Sequence, residues 1–519
     1  MFRYSSVMAA VGAALGLFTA ALPAVGHAQG SDKVTVAVGH KAGSAASVRQ
    51  EVVKAGGRVV QDMAAADAMV VELPAKALNA LSKNKNVDFV DSGVPRRIQG
   101  LRAVSNGVPG PQVAPYGIAM VQADQVSDSA AGNRTLCIVD SGINARHEDL
   151  AGIPMTGENF TKSGTWDSDE NSHGTHVAGT VAALNNGVGV VGVAPSGKLR
   201  LHIAKVFDAS GSASSVTVAR AMMSCWQAGA HVVSMSLGGD EASPIETRIS
   251  TLLAKKGLLL IAAAGNDGNT ATSYPAGFPE VVSVAAIDQN RALANFSQVN
   301  ADVELAAPGV GVMSTVPAFS QVGGSLTVGG QSYAALGMEG SPLVAGSGAL
   351  ADFGLGTAVT AGSMSGKVCL IKRGEISFAQ KVLNCQASGG AGAVVFNNTA
   401  GALSGTLGTT VTTIPSVGIT QADGEGLLQS GLGKATDLAV FLLPDLYAAY
   451  NGTSMATPHA SAVAALVWSH HPGCTAAQVR KALSDSAWDL GDPGRDAKFG
   501  YGLVQAKAAL DRLALGCGQ

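Results

Sequence analysis

The sequence has 519 residues, with 34 Lys and Arg against 37 Asp and Glu, which leaves a formal net charge of −3. This length suits about two to four domains of ordinary size. The low charged fraction of 14% and the 66 glycines indicate a folded, tightly turned chain and argue against disorder. The near-neutral charge argues against a nucleic-acid partner. The sequence has no P-loop, zincin or paired C-x-x-C motif, so nothing in it supports a P-loop nucleotide-binding protein, a zincin metallopeptidase or a zinc ribbon.

The N-terminus is typical of an export signal. Arg3 is followed by an apolar run from Val7 to Leu22 and by the small-residue exit Gly26-His27-Ala28. We expect residues 1–28 to be a signal peptide, and the protein to be secreted, extracellular and free of the membrane after cleavage. The alternative is a membrane anchor, since Val7 to Val25 is just long enough to span a bilayer.

Residues 31–98 read as a separate unit with the order βαββαβ, the ferredoxin-like split. Its predicted strands are Lys33–Val38, Arg58–Gln61, Ala68–Leu73 and Val87–Asp91, and its predicted helices are Ser44–Ala55 and Pro74–Lys83. The linker from Gln99 to Pro115 is rich in Gly, Pro and small residues, and is a plausible place for cleavage.

From Tyr116 onward, strands and helices alternate. Continuous apolar runs predict strands buried on both faces of a parallel sheet, at Thr135–Val139, Leu201–Val206, His231–Leu237, Leu258–Ala264 and Val281–Ala286. Helical segments are predicted at His173–Ala183, Ser214–Ala228, Pro244–Lys256 and Ser454–Ser469. This alternation predicts a doubly wound α/β domain.

Residues 318–445 interrupt this pattern with a Gly- and Ser-rich segment of short β-rich runs, among them Val368–Lys372, Ala393–Asn397 and Ser416–Ile419. The segment is too long for a loop, so we expect an inserted domain with its own core.

Six cysteines in an exported chain suggest disulfides. Spacing favours Cys369–Cys385, around one strand-turn-helix segment, and Cys474–Cys517, around the C-terminal tail. Cys137–Cys225 then remains, with two buried free thiols as its alternative.

Three polar residues fall where an open α/β sheet collects reactive groups, at strand ends and helix starts. Asp140 ends a strand, and His173 and Ser454 each open a helix. A serine nucleophile needs an imidazole base oriented by a carboxylate, and Asn266 can join the Ser454 N–H in binding an oxyanion. Taken singly, each residue also has a purely structural interpretation: Asp140 as a turn former or helix cap, His173 as a helix cap or surface group, Ser454 as an N-cap, and Asn266 as an αL turn residue. His176 is interpreted as a structural neighbour of the site.

These residues lie in motifs that resemble the subtilisin-like serine peptidases. The motifs are Ile138–Ile143, His173–Gly179, Ser236-Leu237-Gly238-Gly239, Ala264-Gly265-Asn266 and Gly452–His459. The resemblance covers residues 116–317 and 446–510. It implies that Asp140 orients the imidazole of His173 and that His173 acts as general base and then as general acid. Ser454 would attack the carbonyl carbon of the substrate, and Asn266 would bind the oxyanion. No serine lies in a G-x-S-x-G pentapeptide, which argues against lipase chemistry.

The same resemblance implies a substrate groove. Ser236, Leu237, Gly238 and Gly239 would pair with substrate backbone, and Ala263, Ala264 and Gly265 would form the other wall of the S1 pocket. Asp267 would lie near the pocket mouth and Ser273 before Tyr274-Pro275. We expect broad specificity with a preference for apolar P1 residues.

A structural Ca²⁺ site is also implied, and no catalytic cofactor. Its ligands would be the side chains of Gln112, Asp149 and Asn186 and the carbonyls of Leu184, Val188 and Val190, six oxygens, within the usual range of about six to eight. The alternative is an Asn-Gly-rich turn without metal.

Two further units resemble known domains. The inserted segment resembles the protease-associated (PA) domain, most clearly at Gly366–Gly374, Gly392–Asn398 and Ile414–Val417. By this resemblance it would act either as a lid that controls substrate access or as a passive spacer. Residues 31–98 resemble the peptidase-inhibitor I9 propeptide, which would occupy the groove until cut. Arg96-Arg97 reads as a processing site or as a solvated pair, and we expect the mature start within residues 98–108.

The sequence therefore predicts a signal peptide (1–28), an I9-like propeptide (31–98), a subtilisin-like catalytic domain (110–317 plus 446–519) and a PA insertion (318–445). The function expected is a secreted, self-processed serine endopeptidase, a monomer acting on proteins and peptides and inhibited by its own propeptide. The alternatives are a non-catalytic peptide-binding module and another serine acyl hydrolase.

Overall fold

The computed structural model describes residues 33–102, 111–408 and 410–517. The signal peptide expected at 1–28 lies outside these ranges. Within them, no helix combines the length and apolar character needed to cross a bilayer.

The first unit has the expected order βαββαβ. Its four strands form an antiparallel sheet in the order β2-β3-β1-β4. The elements are β1 (Lys33–His40), α1 (Ala45–Lys54), β2 (Arg58–Met63), β3 (Ala68–Pro74), α2 (Leu78–Ser82) and β4 (Val87–Asp91). The second helix is shorter than expected, because the chain stays extended through Pro74 and makes a 3₁₀ turn at Ala75–Ala77 first.

Two short strands lead away from this unit, and a seven-stranded parallel sheet follows. The elements are β5 (Pro95–Ile98), β6 (Leu101–Arg102), α3 (Tyr116–Met120), β7 (Thr135–Asp140), β8 (Met155–Asn159), α4 (His173–Ala182), β9 (Arg200–Lys205), β10 (Ser212–Ser214), α5 (Ser215–Gln227), β11 (Val232–Met235), β12 (Leu237–Gly238), α6 (Pro244–Lys255), β13 (Leu259–Ala263), β14 (Val281–Ile287), β15 (Val303–Pro308) and β16 (Val312–Thr315). The parallel sheet has the order β15-β14-β13-β11-β7-β9-β8. The two edge strands of this sheet, β8 and β15, were not predicted from the sequence; β8 has no apolar run.

Local sequence explains where the helices begin. Ser214 accepts a hydrogen bond from the N–H of Val216 at the start of α5. Ser243 accepts one from the N–H of Glu246 at the start of α6, where Pro244 supplies a preset φ at the first helical position.

A second, eight-stranded sheet runs from Gln321 to Leu443. Its elements are β17 (Gln321–Val328), β18 (Gln331–Tyr333), β19 (Leu336–Gly337), β20 (Ala345–Asp352), β21 (Lys367–Lys372), α7 (Phe378–Ala387), β22 (Gly392–Phe396), β23 (Ser416–Ile419), α8 (Gln421–Ser430) and β24 (Ala435–Leu443). It has its own buried apolar clusters, as expected of an inserted domain.

The chain then returns to the first α/β core through β25 (Tyr447–Asn451), α9 (Thr453–His470), α10 (Ala476–Asp485) and α11 (Ala506–Ala514). Helix α9 is buried from Thr453 to Ser469 and contacts strands β11, β13, β14 and β15. The fold is therefore a doubly wound α/β domain with an inserted β-rich domain and an N-terminal α+β unit.

The N-terminal unit packs on this core through one face of its sheet. Ala37 and Val70 lie in the same buried cluster as Ile245, Ile249 and Leu253 of α6. Its own helices cover the other face.

Three disulfide bonds link the pairs expected from the sequence: Cys137–Cys225, Cys369–Cys385 and Cys474–Cys517. Their Cα atoms are 5.6, 6.2 and 5.4 Å apart, within the range that a disulfide spans. Cys137–Cys225 joins strand β7 to helix α5, so the free-thiol alternative does not apply there.

Candidate active site

Asp140, His173 and Ser454 lie at one edge of the parallel sheet. Asp140 is the last residue of β7, His173 is the first of α4, and Ser454 is the second of α9. All three are buried. The fold thus brings together side chains that are 33 and 281 residues apart in the sequence.

The carboxylate and the imidazole are directly paired. Asp140 Oδ1 lies 2.8 Å from His173 Nδ1 and also accepts the N–H of Ser141 at 2.8 Å. This contact fixes the ring so that Nε2 faces away from Asp140, and no described residue forms a hydrogen bond with Nε2. The imidazole therefore has a free nitrogen with which to accept a proton.

A second layer holds the start of α4. Asp169 accepts hydrogen bonds from Ser141 Oγ at 2.8 Å and from the N–H of Thr175 at 2.8 Å. Burial raises the pKa of Asp169, opposed by these hydrogen bonds. The loop after β7 and the first turn of α4 are thereby joined.

His176 is a structural neighbour. Its ring stacks on Tyr450 at 4.2 Å, and its Nε2 lies 2.9 Å from the carbonyl oxygen of Val312. Burial lowers the pKa of His176 to about 3, so the ring stays neutral near pH 7. It joins α4 to β16 and β25.

Ser454 makes two different contacts. Its Oγ donates to the carbonyl oxygen of Ser236 at 2.8 Å and is not hydrogen-bonded to His173. Its N–H donates to the carbonyl oxygen of Gln99 at 3.0 Å. The hydroxyl is thus turned away from the base, while the N–H already binds a peptide carbonyl.

Gly452 leaves room for that carbonyl. A Cβ at this position would lie 2.4 Å from Gln99 O and 3.2 Å from Asn266 Nδ2. Asn266 is held by its other amide atom, because Oδ1 accepts from the N–H and Oγ1 of Thr453 at 2.9 and 2.8 Å. The Ser454 N–H and the Asn266 amide therefore border one small space.

Strand β5 occupies the cleft as the central strand of a three-stranded antiparallel sheet. It pairs with β10 on one side and with β12 on the other, where Ile98 faces Leu237 and Arg97 faces Gly238. The N–H of Gln99 donates to Ser236 O at 3.3 Å. Next along the chain, a Cβ on Gly100 would lie 2.7 Å from His173 Nε2, so the Gln99–Gly100 peptide lies against both the Ser454 N–H and the imidazole.

The expected S1 residues surround the Gln99 side chain in part. A Cβ on Gly238 would meet Ser273 Oγ at 2.3 Å and Gln99 Nε2 at 3.1 Å. Ala263 and Ala264 are buried at the end of β13, and Asp267 is exposed.

One contact in the cleft was not predicted from the sequence. Arg96 is fully buried against Glu246 of α6, which rules out the solvated reading for Arg96; Arg97 is exposed. A signal for Glu246 was present, since it falls on the same face of α6 as the apolar residues Ile249 and Leu253.

The expected calcium ligands also converge. Gln112 Nε2 lies 2.7 Å from Leu184 O, 2.8 Å from Val188 O, 3.2 Å from Asn186 Oδ1 and 3.3 Å from Val190 O. Asp149 borders this ring, with Oδ1 accepting from Asn186 Nδ2 at 3.0 Å. An amide NH₂ has two hydrogens, so four oxygens around one nitrogen exceed what it can satisfy. In the described residues no group of three or more His, Cys, Asp or Glu could hold a metal. The four oxygens around Gln112 Nε2 are three main-chain carbonyls and one side-chain amide oxygen.

Comparisons with known proteins match two parts of the chain to families. Residues 132–352 and 428–502 match the Subtilase family, and residues 338–427 match the PA domain. Subtilisin DY from Bacillus licheniformis is 38% identical over 245 residues, 46% of this chain and 84% of the relative. Subtilisin Savinase from Lederbergia lenta is 39% identical over 248 residues, again 46% of this chain and 84% of the relative.

Two solved structures are similar over more of the chain. A psychrophilic subtilisin-like protease from an Antarctic Pseudoalteromonas is 40% identical, with a TM-score of 0.55, covering 78% of this chain and 99% of that one. Fervidolysin from Fervidobacterium pennivorans, at 22% identity and a TM-score of 0.60, covers 93% of this chain and 61% of that one, and shows the fold alone.

Proposed function

Because this chain belongs to the subtilase family and is a serine-type endopeptidase, we propose that Asp140, His173 and Ser454 form its catalytic triad. The observation that carries the proposal is the Gln99–Gly100 peptide, whose carbonyl accepts from the Ser454 N–H beside the Asp140–His173 pair. A peptide lying in this position is in the place of a scissile bond.

The chemistry follows from these contacts. The Ser454 side chain first turns from Ser236 O to His173 Nε2. Its Oγ then bonds to the carbonyl carbon while the Oγ proton passes to Nε2, and the carbonyl electrons move to the oxygen. As the C–N bond breaks, Nε2 returns the proton to the leaving amine. Water then repeats the sequence on the acyl-enzyme, releasing the acid and restoring Ser454.

The charge on the carbonyl oxygen is stabilised by the Ser454 N–H and, we propose, by Asn266 Nδ2. Both donors are fixed before reaction, the first by the start of α9 and the second by Thr453. Preset donors of this kind require no reorganisation as the oxyanion develops.

We propose that residues 31–98 are a propeptide and that the chain cuts itself after Gln99. Three kinds of contact support this: β5 in the cleft, the apolar packing on α6, and a Ser243–Asp91 hydrogen bond of 2.6 Å at the start of α6. Arg248 adds a 2.8 Å ion pair with Asp88. A mature start at Gly100 falls within the range 98–108 expected from the sequence.

For substrates, we propose broad specificity with apolar P1 side chains preferred. The buried Ala263 and Ala264 and the two glycines at 238 and 239 support an uncharged pocket, and Ser273 Oγ gives it one polar wall. This pocket is bordered by the uncharged Gln99 side chain in the present structure.

The oxygen ring around Gln112 Nε2 fits a structural Ca²⁺. Leu184, Val188, Val190 and Asn186 would supply oxygens, Asp149 a carboxylate, and Gln112 its Oε1 in place of Nε2. A bound Ca²⁺ supplies a hard cation that ties the segment at Gln112 to the loop after α4.

The PA insertion at 318–445 serves either as a lid or as a spacer. Deleting residues 320–445 distinguishes these roles. If the domain is a lid, the deletion should change the ratio of protein hydrolysis to short-peptide hydrolysis; if it is a spacer, this ratio should stay the same. We further propose secretion through residues 1–28, which the three disulfide bonds support.

The test is casein hydrolysis by the wild type beside Ser454→Ala, with the N-terminus read by mass spectrometry. We expect the wild type to cleave casein and to begin at Gly100. The variant should retain its full N-terminal unit and show no casein hydrolysis. Casein hydrolysis by Ser454→Ala would contradict the assignment of the nucleophile, and an ester-only activity would favour another serine acyl hydrolase.

A further inference from the structure

Arg96 and Glu246 form an ion pair with no solvent contact. Both side chains have zero exposure. Arg96 Nε lies 3.1 Å from each oxygen of the carboxylate, and Nη2 contacts Oε2 as well. Nη2 also donates to Glu241 O and Nη1 to Pro95 O, both at 2.9 Å. The guanidinium is thus satisfied on every nitrogen.

The position of Arg96 along the chain places this ion pair at a defined distance from the bond that Ser454 would attack. Arg96 lies three residues before Gln99, whose carbonyl is bound by the Ser454 N–H. Counted from the Gln99–Gly100 bond, Arg96 is therefore the fourth residue on the acyl side, P4. Its strand pairs on both sides with strands of the catalytic domain, which fixes the register.

The carboxylate belongs to the enzyme and not to the propeptide. Glu246 lies in the first turn of α6, between the buried Ile245 and Ile249. Gly239 provides the space beside it, because a Cβ there would lie 2.9 Å from Arg96 Nη1 and 2.4 Å from Pro95 O. The pocket is shaped for a guanidinium.

A buried carboxylate without a partner is unfavourable. Burial raises the pKa of Glu246 to about 7, Arg96 opposes this, and the nearby Asp91 carboxylate adds to the rise. When the propeptide leaves, Arg96 and Asp91 leave with it, and Glu246 faces an empty pocket. A cationic side chain entering that pocket replaces Arg96.

We propose that this pocket is an S4 subsite in which Glu246 selects substrates with arginine at P4. The inference rests on the proposed function, since P4 is counted from the bond that Ser454 attacks. Arginine is favoured over lysine because its planar fork matches a carboxylate with two parallel hydrogen bonds.

The experiment uses the mature, self-processed enzyme and p-nitroanilides of the form X-Ala-Ile-Gln, with Arg, Lys or Leu as X. We expect kcat/KM to be at least about tenfold higher for Arg than for Leu, since a buried site built for hydrogen bonding discriminates strongly against a group that lacks them. Lysine should fall between them. The variants Glu246→Leu and Glu246→Gln should each lower the Arg:Leu ratio, and Glu246→Leu should invert it.

Asp240→Asn is the matched control, because it removes an exposed carboxylate adjacent to the groove segment. Its Arg:Leu ratio should equal that of the wild type. If neither Glu246 variant matures, the wild-type ratio alone decides.

The outcomes separate the two proposals. Casein hydrolysis with equal rates on the Arg and Leu peptides overturns the S4 assignment alone, and would mean that the Arg96–Glu246 pair only docks the propeptide. No hydrolysis of casein or of any peptide overturns the proposed function, and the subsite with it.

Discussion

The main-chain N–H of Ser454 donates a 3.0 Å hydrogen bond to the carbonyl oxygen of Gln99. These two residues are 355 positions apart, and they meet because strand β5 lies between two strands of the catalytic domain. On the function proposed above, this contact determines which peptide bond is cut.

Replacing Asn266 should weaken transition-state binding. We expect Asn266→Leu to lower kcat on a peptide p-nitroanilide, with KM changed little, because the amide would act on the oxyanion and not on the bound substrate. The loss known for the equivalent change in a subtilisin is about 10²–10³-fold. A loss of less than about tenfold would count against Asn266 as a donor.

Adding one methyl group at position 452 should block self-processing. A Cβ there would lie 2.4 Å from Gln99 O and 2.9 Å from Gly100 Cα, closer than any stable contact. We expect Gly452→Ala to accumulate the uncut chain on denaturing gels. The matched control is Gly473→Ala, where a Cβ meets nothing within 4 Å, and this variant should process normally. Normal processing of both variants would refute the placement of Gln99 O.

Removing Ca²⁺ should destabilise the protein. Binding only to the folded state contributes about 2.7 kcal/mol at a free ligand concentration about one hundred times Kd. We expect a chelator at fixed pH to lower the unfolding midpoint, and Asp149→Asn to reduce that shift. Asp492→Asn, which removes an exposed carboxylate elsewhere, should respond like the wild type. An unchanged midpoint in the wild type would remove the metal site.

The preference for arginine at P4 should depend on pH. With Arg96 and Asp91 beside it, burial raises the pKa of Glu246 to about 7. Arginine binds the ionised carboxylate, so the Arg:Leu ratio of kcat/KM should rise with pH as Glu246 loses its proton. Glu246→Gln should give a flat ratio. A wild-type ratio that falls with pH would contradict this sign.

The parts of the fold that depend on local pattern were predictable. Apolar runs located β7 and β13 to within one or two residues, and helix α6 begins at Pro244 as expected. The edge strand β8 was not predicted, because its five residues include one large apolar side chain, that of Met155, and form no apolar run.

The residues of the site were predictable from the sequence, but their hydrogen-bond partners in the folded chain were not. The motifs identified Asp140 and His173, whose contact depends on the sheet edge that both share. They carry no information on the Ser454 hydroxyl, which donates to the carbonyl oxygen of Ser236, a residue 218 positions away in the sequence. The Arg96–Glu246 pair joins residues 150 positions apart in different domains, and no local pattern connects them.

Among the described residues, the contacts that hold the N-terminal unit on the enzyme, from Asp88 and Asp91 to β5, precede the Gln99–Gly100 bond. Hydrolysis of that bond leaves all of them in place. On the self-processing proposed above, we expect the severed leader to stay bound as a product, and the rate at which working enzyme appears to depend on how fast this product dissociates or is itself digested.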